Sequence, residues 1–153
     1  MREITFVVPC YNSQDYMRRC IDSLLPCGER AEIIIVDDGS TDATGEIADE
    51  YAAVYPKIVK VVHKENGGHG SGVNVGLKLA SGRFFKVVDS DDWLDPAALA
   101  RVLESLASLG DMVDLLVCNY VYDHLYEKKQ KSVDFANIFP ENVICSWQDM
   151  HHF

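Results

Sequence analysis

Lys86-Val87-Val88-Asp89-Ser90-Asp91-Asp92-Trp93-Leu94-Asp95 carries an apolar run straight into a cluster of carboxylates. Fed by Phe84 and Phe85, the run reads as a buried strand. Carboxylates at the C-terminal end of such a strand sit where an open α/β sheet presents its ligands. Asp89, Asp91 and Asp92 are close enough in the chain to repel one another unless a cation or hydrogen-bond donors sit among them. One account is a polar helix start, with Asp95 as N-cap and Pro96 at the first helical position. That account uses Asp95 alone and leaves Asp89 and Asp91 unexplained. A divalent metal site that holds an anionic substrate is therefore the favoured reading.

Outward from this stretch, strands and helices alternate. Residues 4–8 form an apolar strand, followed by the loop Pro9-Cys10-Tyr11-Asn12. Ser13 or Asn12 can cap a helix whose apolar face is Met17, Cys20, Ile21, Leu24 and Leu25. Residues 32–36 form a second strand that stops at Asp37-Asp38-Gly39-Ser40. Thr41 or Asp42 opens a helix with Ile47, Ala48, Tyr51, Ala52 and Tyr55 on one face. A third strand at 58–62 leads to a loop with Gly67, Gly68 and Gly70. The next helix carries Val73, Gly76, Leu77 and Ala80 and stops at Ser81-Gly82. After the fourth strand at 84–88, Pro96 opens a helix with Leu99, Val102, Leu103 and Leu106 on its inner face. Residues 113–118 read as a fifth apolar strand. This alternation predicts an α/β fold with a mostly parallel sheet covered on both faces. Beyond Asn119 the pattern breaks. Tyr120, Tyr122 and Tyr126 fit one edge strand, 127–131 is a solvated charge run, and 133–153 has no period.

Bulk properties narrow the partners. A chain of 153 residues, 48% hydrophobic and 25% charged, is one domain or most of one. A formal net charge of −10 argues against nucleic acid or an anionic membrane surface as partner. No apolar run is long enough to span a membrane, and Met1-Arg2-Glu3 leads directly into a strand, without a signal peptide. Cys10, Cys20, Cys27, Cys118 and Cys145 lack CxxC spacing and fit reduced thiols in the cytoplasm.

The glycine loop Asn66-Gly67-Gly68-His69-Gly70-Ser71-Gly72 fails two nucleotide signatures. A dinucleotide fingerprint wants glycine at Val73 and should follow the first strand. A Walker loop needs Lys at Val73 and Ser or Thr at Asn74. An EF-hand starting at Asp89 lacks its central glycine, because Leu94 stands there. A receiver domain needs its acidic pair after the first strand, where Pro9 and Cys10 stand. What remains is backbone that can approach a ligand closely, with amides at a helix start that favour an anion. Asp37 and Asp38 end the second strand and so face the same rim as Asp89. A carboxylate there can accept a ring N–H or a ribose hydroxyl. Tyr11 offers a flat surface for a base, and His69 can reach a phosphate or sugar hydroxyl. Trp93 reads as a packing residue.

VVPCYN at 7–12, VDDGSTD at 36–42, ENGGHGSGVNVGL at 65–77 and KVVDSDDWLD at 86–95 together resemble the family-2 glycosyltransferases of GT-A fold. The resemblance covers about residues 3–120. It implies a Rossmann-like three-layer α/β/α sandwich, a UDP-sugar donor, Mn or Mg as cofactor, and inversion at the anomeric carbon. By the same resemblance Pro9 and Tyr11 frame the uracil and Asp38 bonds the base. Asp89 would touch ribose or metal, and Asp91 would coordinate the metal, with Asp92 beside it as a second candidate. Ser90, between those carboxylates, and Gly68, His69 and Asn74 belong to the donor side. Val73 stands where many members carry Arg, so that phosphate contact is missing.

The resemblance also implies a division of labour. Residues 1–120 would be the donor-binding core, and 121–153 the start of an acceptor-side region that is cut short. The family's general base lies beyond the carboxylate motif, so no catalytic residue is assigned, and Asp149 is not promoted to that role. The acceptor, a saccharide or another hydroxyl compound, is unassigned. The chain is expected to bind UDP with Mn and to transfer no sugar at a useful rate. The alternative is a nucleotide-sugar-binding module without turnover. An uncovered tyrosine edge would permit self-association as a homodimer.

Overall fold

In the computed structural model, which describes residues 2–124, 129–146 and 148, the chain divides into two compact units, Met1–Ser108 and Leu109–Phe153. The first unit is built on β1 (Ile4–Cys10) and β2 (Ala31–Asp37), each buried along its whole length. Near-continuous burial is what a parallel strand with both faces covered requires. β3 (Val59–His63) and β4 (Phe84–Val87) complete one parallel sheet in the order β3-β2-β1-β4. The helices between them are α1 (Met17–Leu24), α2 (Thr44–Val54) and α3 (His69–Leu79), and α4 (Pro96–Leu109) follows β4.

Alternation along the strands separates the two faces. Val7, Ile34 and Val36 form one buried cluster, with Val62, Val75 and Phe85 packed against it. α3 lies here, and Gly76 brings it close: a Cβ at Gly76 would meet Val7 Cγ1 at 2.3 Å. The alternate residues Phe6, Val8, Ile33 and Ile35 are buried too, so both faces of the central strands are covered. α1 turns Met17, Cys20, Ile21 and Leu24 inward, and α4 turns in Leu99, Leu103 and Leu106. Asp95 caps α4 by accepting the Ala98 amide at 2.8 Å, and Pro96 starts it.

Near the N-terminal end of β2 the fully buried Glu32 gathers Arg2, Lys60, the Thr5 hydroxyl and the Ser81 hydroxyl and amide. Burial opposes its ionisation, but the donors on Lys60, Thr5 and Ser81 outweigh burial and bring its pKa down to about 2. The carboxylate thus ties β1, β2, β3 and the turn before β4 together at the end of the sheet away from the carboxylate motif.

The second unit begins with a 3-10 turn, Gly110–Met112, and contains an antiparallel hairpin of β5 (Tyr120–His124) and β6 (Lys129–Val133). Tyr120 meets Tyr122 edge-on at 5.2 Å and also faces Phe135.

Several sequence expectations change. Residues 113–118 do not form a strand among the described residues, and Leu115 is 61% exposed. Apolar composition suits a strand, but only a neighbouring backbone makes one. The expected tyrosine edge strand is one arm of the hairpin, and Lys129–Val133 takes up the end of the expected charge run. Of the residues the sequence places on α3, Gly76 meets the sheet, together with Gly72 and Val75, while Leu77 points to solvent. Ser13 does not cap α1, which starts four residues later. Tyr126, Asp149, His151 and His152 lie outside the described residues. Among the described residues, no helix is long and apolar enough to cross a membrane.

Gly76→Ala should destabilise the chain by about 1–3 kcal/mol through overpacking against Val7. Gly70→Ala, where a Cβ meets nothing within 4 Å, should not. Equal urea midpoints for the two variants would contradict the close packing of α3 on β1.

Candidate functional site

Parallel pairing brings the C-terminal ends of β1, β2 and β4 to one rim. The chain runs β1, β2, β3 toward one edge and then returns to place β4 on the other side of β1. That reversal is where an open α/β sheet leaves a crevice for a ligand. An open cavity of about 460 Å³ lies there. Pro9, Tyr11, Asp38, Gly68, His69, Asp89, Ser90 and Asp91 all line it. So do Cys10, Ser13, Tyr16 and Asn66, which the sequence did not single out for a site. Asn74 is not on the cavity wall: it lies in the second turn of α3 and is exposed.

Two motifs are zipped together by reciprocal hydrogen bonds. The Asn12 amide donates to the Ser40 hydroxyl, and the Asn12 side-chain oxygen accepts the Thr41 amide at 2.9 Å. The Ser13 amide donates to the Thr44 hydroxyl at 2.7 Å. The Gln14 amide donates to Asp42, and Gln14 Oε1 accepts the Ala43 amide. Asp42 also accepts the Thr44 amide at the start of α2. The polar residues of Gly39-Ser40-Thr41-Asp42 therefore bind the loop after β1, beyond the capping role read from sequence. Asn12 takes φ +49°, a left-handed conformation that asparagine tolerates.

Asp38 holds the glycine loop. It is 3% exposed and accepts the Gly67 amide on Oδ1 at 3.0 Å and the Gly68 amide on Oδ2 at 2.7 Å. Lys64 also donates to Oδ1. Burial opposes the charge, but Lys64 and the two amides outweigh it and hold the pKa below the usual carboxylate value. Asp38 is therefore an ionised acceptor, and Oδ2 carries only one of these bonds. Gly39 makes the approach between the two loops feasible: its φ is +73°, and a Cβ there would meet the Asn66 amide at 2.7 Å. Lys64 was missed from sequence; a lone cation beside a glycine loop, in a chain of net charge −10, was the available signal.

The carboxylate loop is anchored from beneath. Ser90 is buried and bonds the Ser13 hydroxyl at 2.9 Å. The Cys20 thiol donates to the Asp89 carbonyl at 3.5 Å. Burial pushes the Cys10 thiol up to about 12, and Cys20 higher still, so both stay protonated. His69, the first residue of α3, meets Asp89 Oδ1 at 2.7 Å. Trp93 carries the Arg19 guanidinium on its ring at 3.2 Å.

The donor set suits a hard cation in ligand type. Asp89, Asp91 and Asp92 supply carboxylate oxygens, the ligands that Mn and Mg favour. Asp92's pKa is raised by burial and then by Asp91 and Asp89, so these charges crowd one another. No group of three His, Cys, Asp or Glu side chains is gathered as a metal cage among the described residues. The donor chemistry is of the type such a cation takes, while the carboxylates by themselves do not enclose one.

The family profile described as Glycosyl transferase family 2 matches residues 5–149. The chain belongs to that family. Glycosyltransferase GlyG of Streptococcus pneumoniae is 43% identical over 119 residues, which is 76% of this chain and 38% of that protein. Glycosyltransferase GlyA of the same organism is 36% identical over 161 residues, covering 95% of this chain and 23% of that protein. The chain thus spans less than half the length of these relatives. Among solved structures, S. aureus TarS in complex with UDP-GlcNAc superposes with TM-score 0.61 at 34% identity, over 69% of this chain and 31% of that one. The mannosyltransferase PcManGT of Pyrobaculum calidifontis, in complex with GDP-Man and Mn2+, matches with TM-score 0.61 at 26% identity, over 70% of this chain and 33% of that one. The fold of this family member is thereby the GT-A fold.

Beside the site of this family-2 chain, His63 at the end of β3 bridges Asp37 at 2.9 Å and Asp49 at 3.1 Å. These bonds, Asp37 first, raise its pKa above the ordinary histidine value of 6.5. A raised folded pKa adds stability that is complete below the unfolded pKa and fades as pH rises through the folded one. Wild-type Tm should therefore fall relative to His63→Gln between pH 6.5 and the alkaline side of neutrality. A Tm difference that stays flat with pH would remove His63 from this role.

Proposed function

We propose that the chain is the donor-binding part of an inverting, metal-dependent glycosyltransferase that uses a UDP-sugar. One observation carries this reading: a single cavity is lined by residues from all four motifs, Pro9 and Tyr11, Asp38, Gly68 and His69, and Asp89 and Asp91. The nucleotide sugars named with TarS and PcManGT support it. Tyr11, 52% exposed on the wall, offers its ring face to the base. Asp38 keeps an acceptor position on Oδ2 for a ring N–H. The start of α3, preceded by Gly67 and Gly68, presents amides toward a diphosphate. Asp89 and Asp91, with Asp92 as an alternative ligand, would hold Mn or Mg. The cation would offset charge developing on the diphosphate leaving group. An acceptor hydroxyl would attack from the opposite face, aided by a base that no described residue is assigned to supply. The buried thiols Cys10, Cys20 and Cys27, none of them in a disulfide, fit a reducing compartment such as the cytoplasm.

Calorimetry tests the metal. UDP should bind more tightly with Mn than without, because the diphosphate adds oxygen ligands. Asp91→Asn should lose that enhancement while keeping most of the metal-free affinity. An undiminished Mn effect would refute the assignment.

Base choice tests Asp38. Held ionised, it can accept the uracil N3–H but has no proton for the bare N3 of cytosine. UDP should therefore outbind CDP by about 1–3 kcal/mol, the cost of an unpaired buried polar group. Equal affinities would remove Asp38 from base recognition.

A further inference from the structure

We propose that Ser13 is a positioning residue that locks the carboxylate loop to the base-side wall of the cavity through a chain of hydrogen bonds. The proposal rests on the donor-site reading for its functional meaning, but the lock itself follows from the hydrogen bonds that Ser13 makes. The Ser13 and Ser90 hydroxyls bond each other at 2.9 Å across 77 residues of chain. The Ser13 oxygen in turn accepts the Tyr11 amide at 3.2 Å. The alternative for the Ser13 proton, the Tyr11 carbonyl, is longer at 3.4 Å.

The links therefore run from the Tyr11 amide through the Ser13 hydroxyl to Ser90. They are sheltered from solvent: Ser13 is 1% exposed and Ser90 8%. Hydrogen bonds in such surroundings are strong and reinforce one another. The Ser13 amide is separately fixed to Thr44, so the residue has little freedom to turn away. Its hydroxyl does not cap α1, so helix capping does not account for it. At one end stands the backbone of Tyr11, the proposed base platform. In the middle stands Ser90, flanked by Asp89 and Asp91. A shift of either wall is thus communicated to the other, and the base and the diphosphate of one donor must be met at a set separation.

Amide exchange followed by NMR on the whole chain tests the lock without any ligand. Ser90→Ala should speed exchange of the Tyr11 amide several-fold, although Ser90 touches Tyr11 only through Ser13. Ser13→Ala should speed exchange in residues 88–92. Unchanged exchange at Tyr11 in Ser90→Ala would overturn the proposal, and that variant also serves if Ser13→Ala folds poorly. A second arm measures the ratio of UDP affinities with and without Mn. Each single variant should lower the ratio several-fold, and the double variant should lower it no further. Additive losses, or a ratio equal to wild type alongside a lowered Tm, would make Ser13 merely structural and overturn the coupling. Should the wild-type chain show no Mn effect on UDP, the donor-site reading fails, and the exchange arm alone decides the lock.

Discussion

Parallel pairing of β1 with β2 on one side and β4 on the other is the constraint on which the site depends. A parallel ladder aligns strand ends, so Cys10, Asp37 and the residues after Val87 emerge together. Loops far apart in sequence are thereby delivered to one rim without long excursions. The same pairing requires both faces of the central strands to be covered, since buried parallel strands leave no wet face. Gly76 meets that demand on one side by letting α3 approach Val7.

Two buried carboxylates mark the two ends of this sheet. Glu32 near the base and Asp38 at the rim are both ionised against the pull of burial, because each collects several donors. Their partners differ in kind. Glu32 collects side chains and a turn, and so ties strands to one another. Asp38 collects backbone amides of a glycine loop, and so sets the shape of a cavity wall. Removing one partner from either would leave a buried charge under-satisfied, which is costly. In a chain of net charge −10, Lys64 supplies a local positive charge where the rim would otherwise be acidic.

The two loops after β1 and β2 are bound to each other by hydrogen bonds. Asn12, Ser13 and Gln14 face Ser40, Thr41, Asp42, Ala43 and Thr44 through short polar contacts. Side chains that sequence reasoning assigns to helix caps act here as cross-links between loops. That is consistent with a cavity wall that must keep its shape before a ligand arrives, so that less ordering remains to be done on binding.

The alternation of apolar runs with helical periods, together with four motifs in order, was sufficient to specify the α/β class, the parallel sheet and the rim on which the acidic and glycine-rich segments lie. Those features depend on local pattern and chain direction, which a sequence carries explicitly. Residues 113–118 mark where that logic stops: their composition suits a strand, yet a strand exists only where another backbone pairs with it. The cavity's inner fastenings were equally illegible. Ser13, Lys64 and His63 acquire their roles from partners 14 to 77 residues away, as in His63 with Asp49 and Ser13 with Ser90. Hydroxyls, thiols and a lone lysine have no sequence period and no spacing rule. Tertiary structure alone decided which of them meet, because only packing sets the few ångströms within which a hydrogen bond forms.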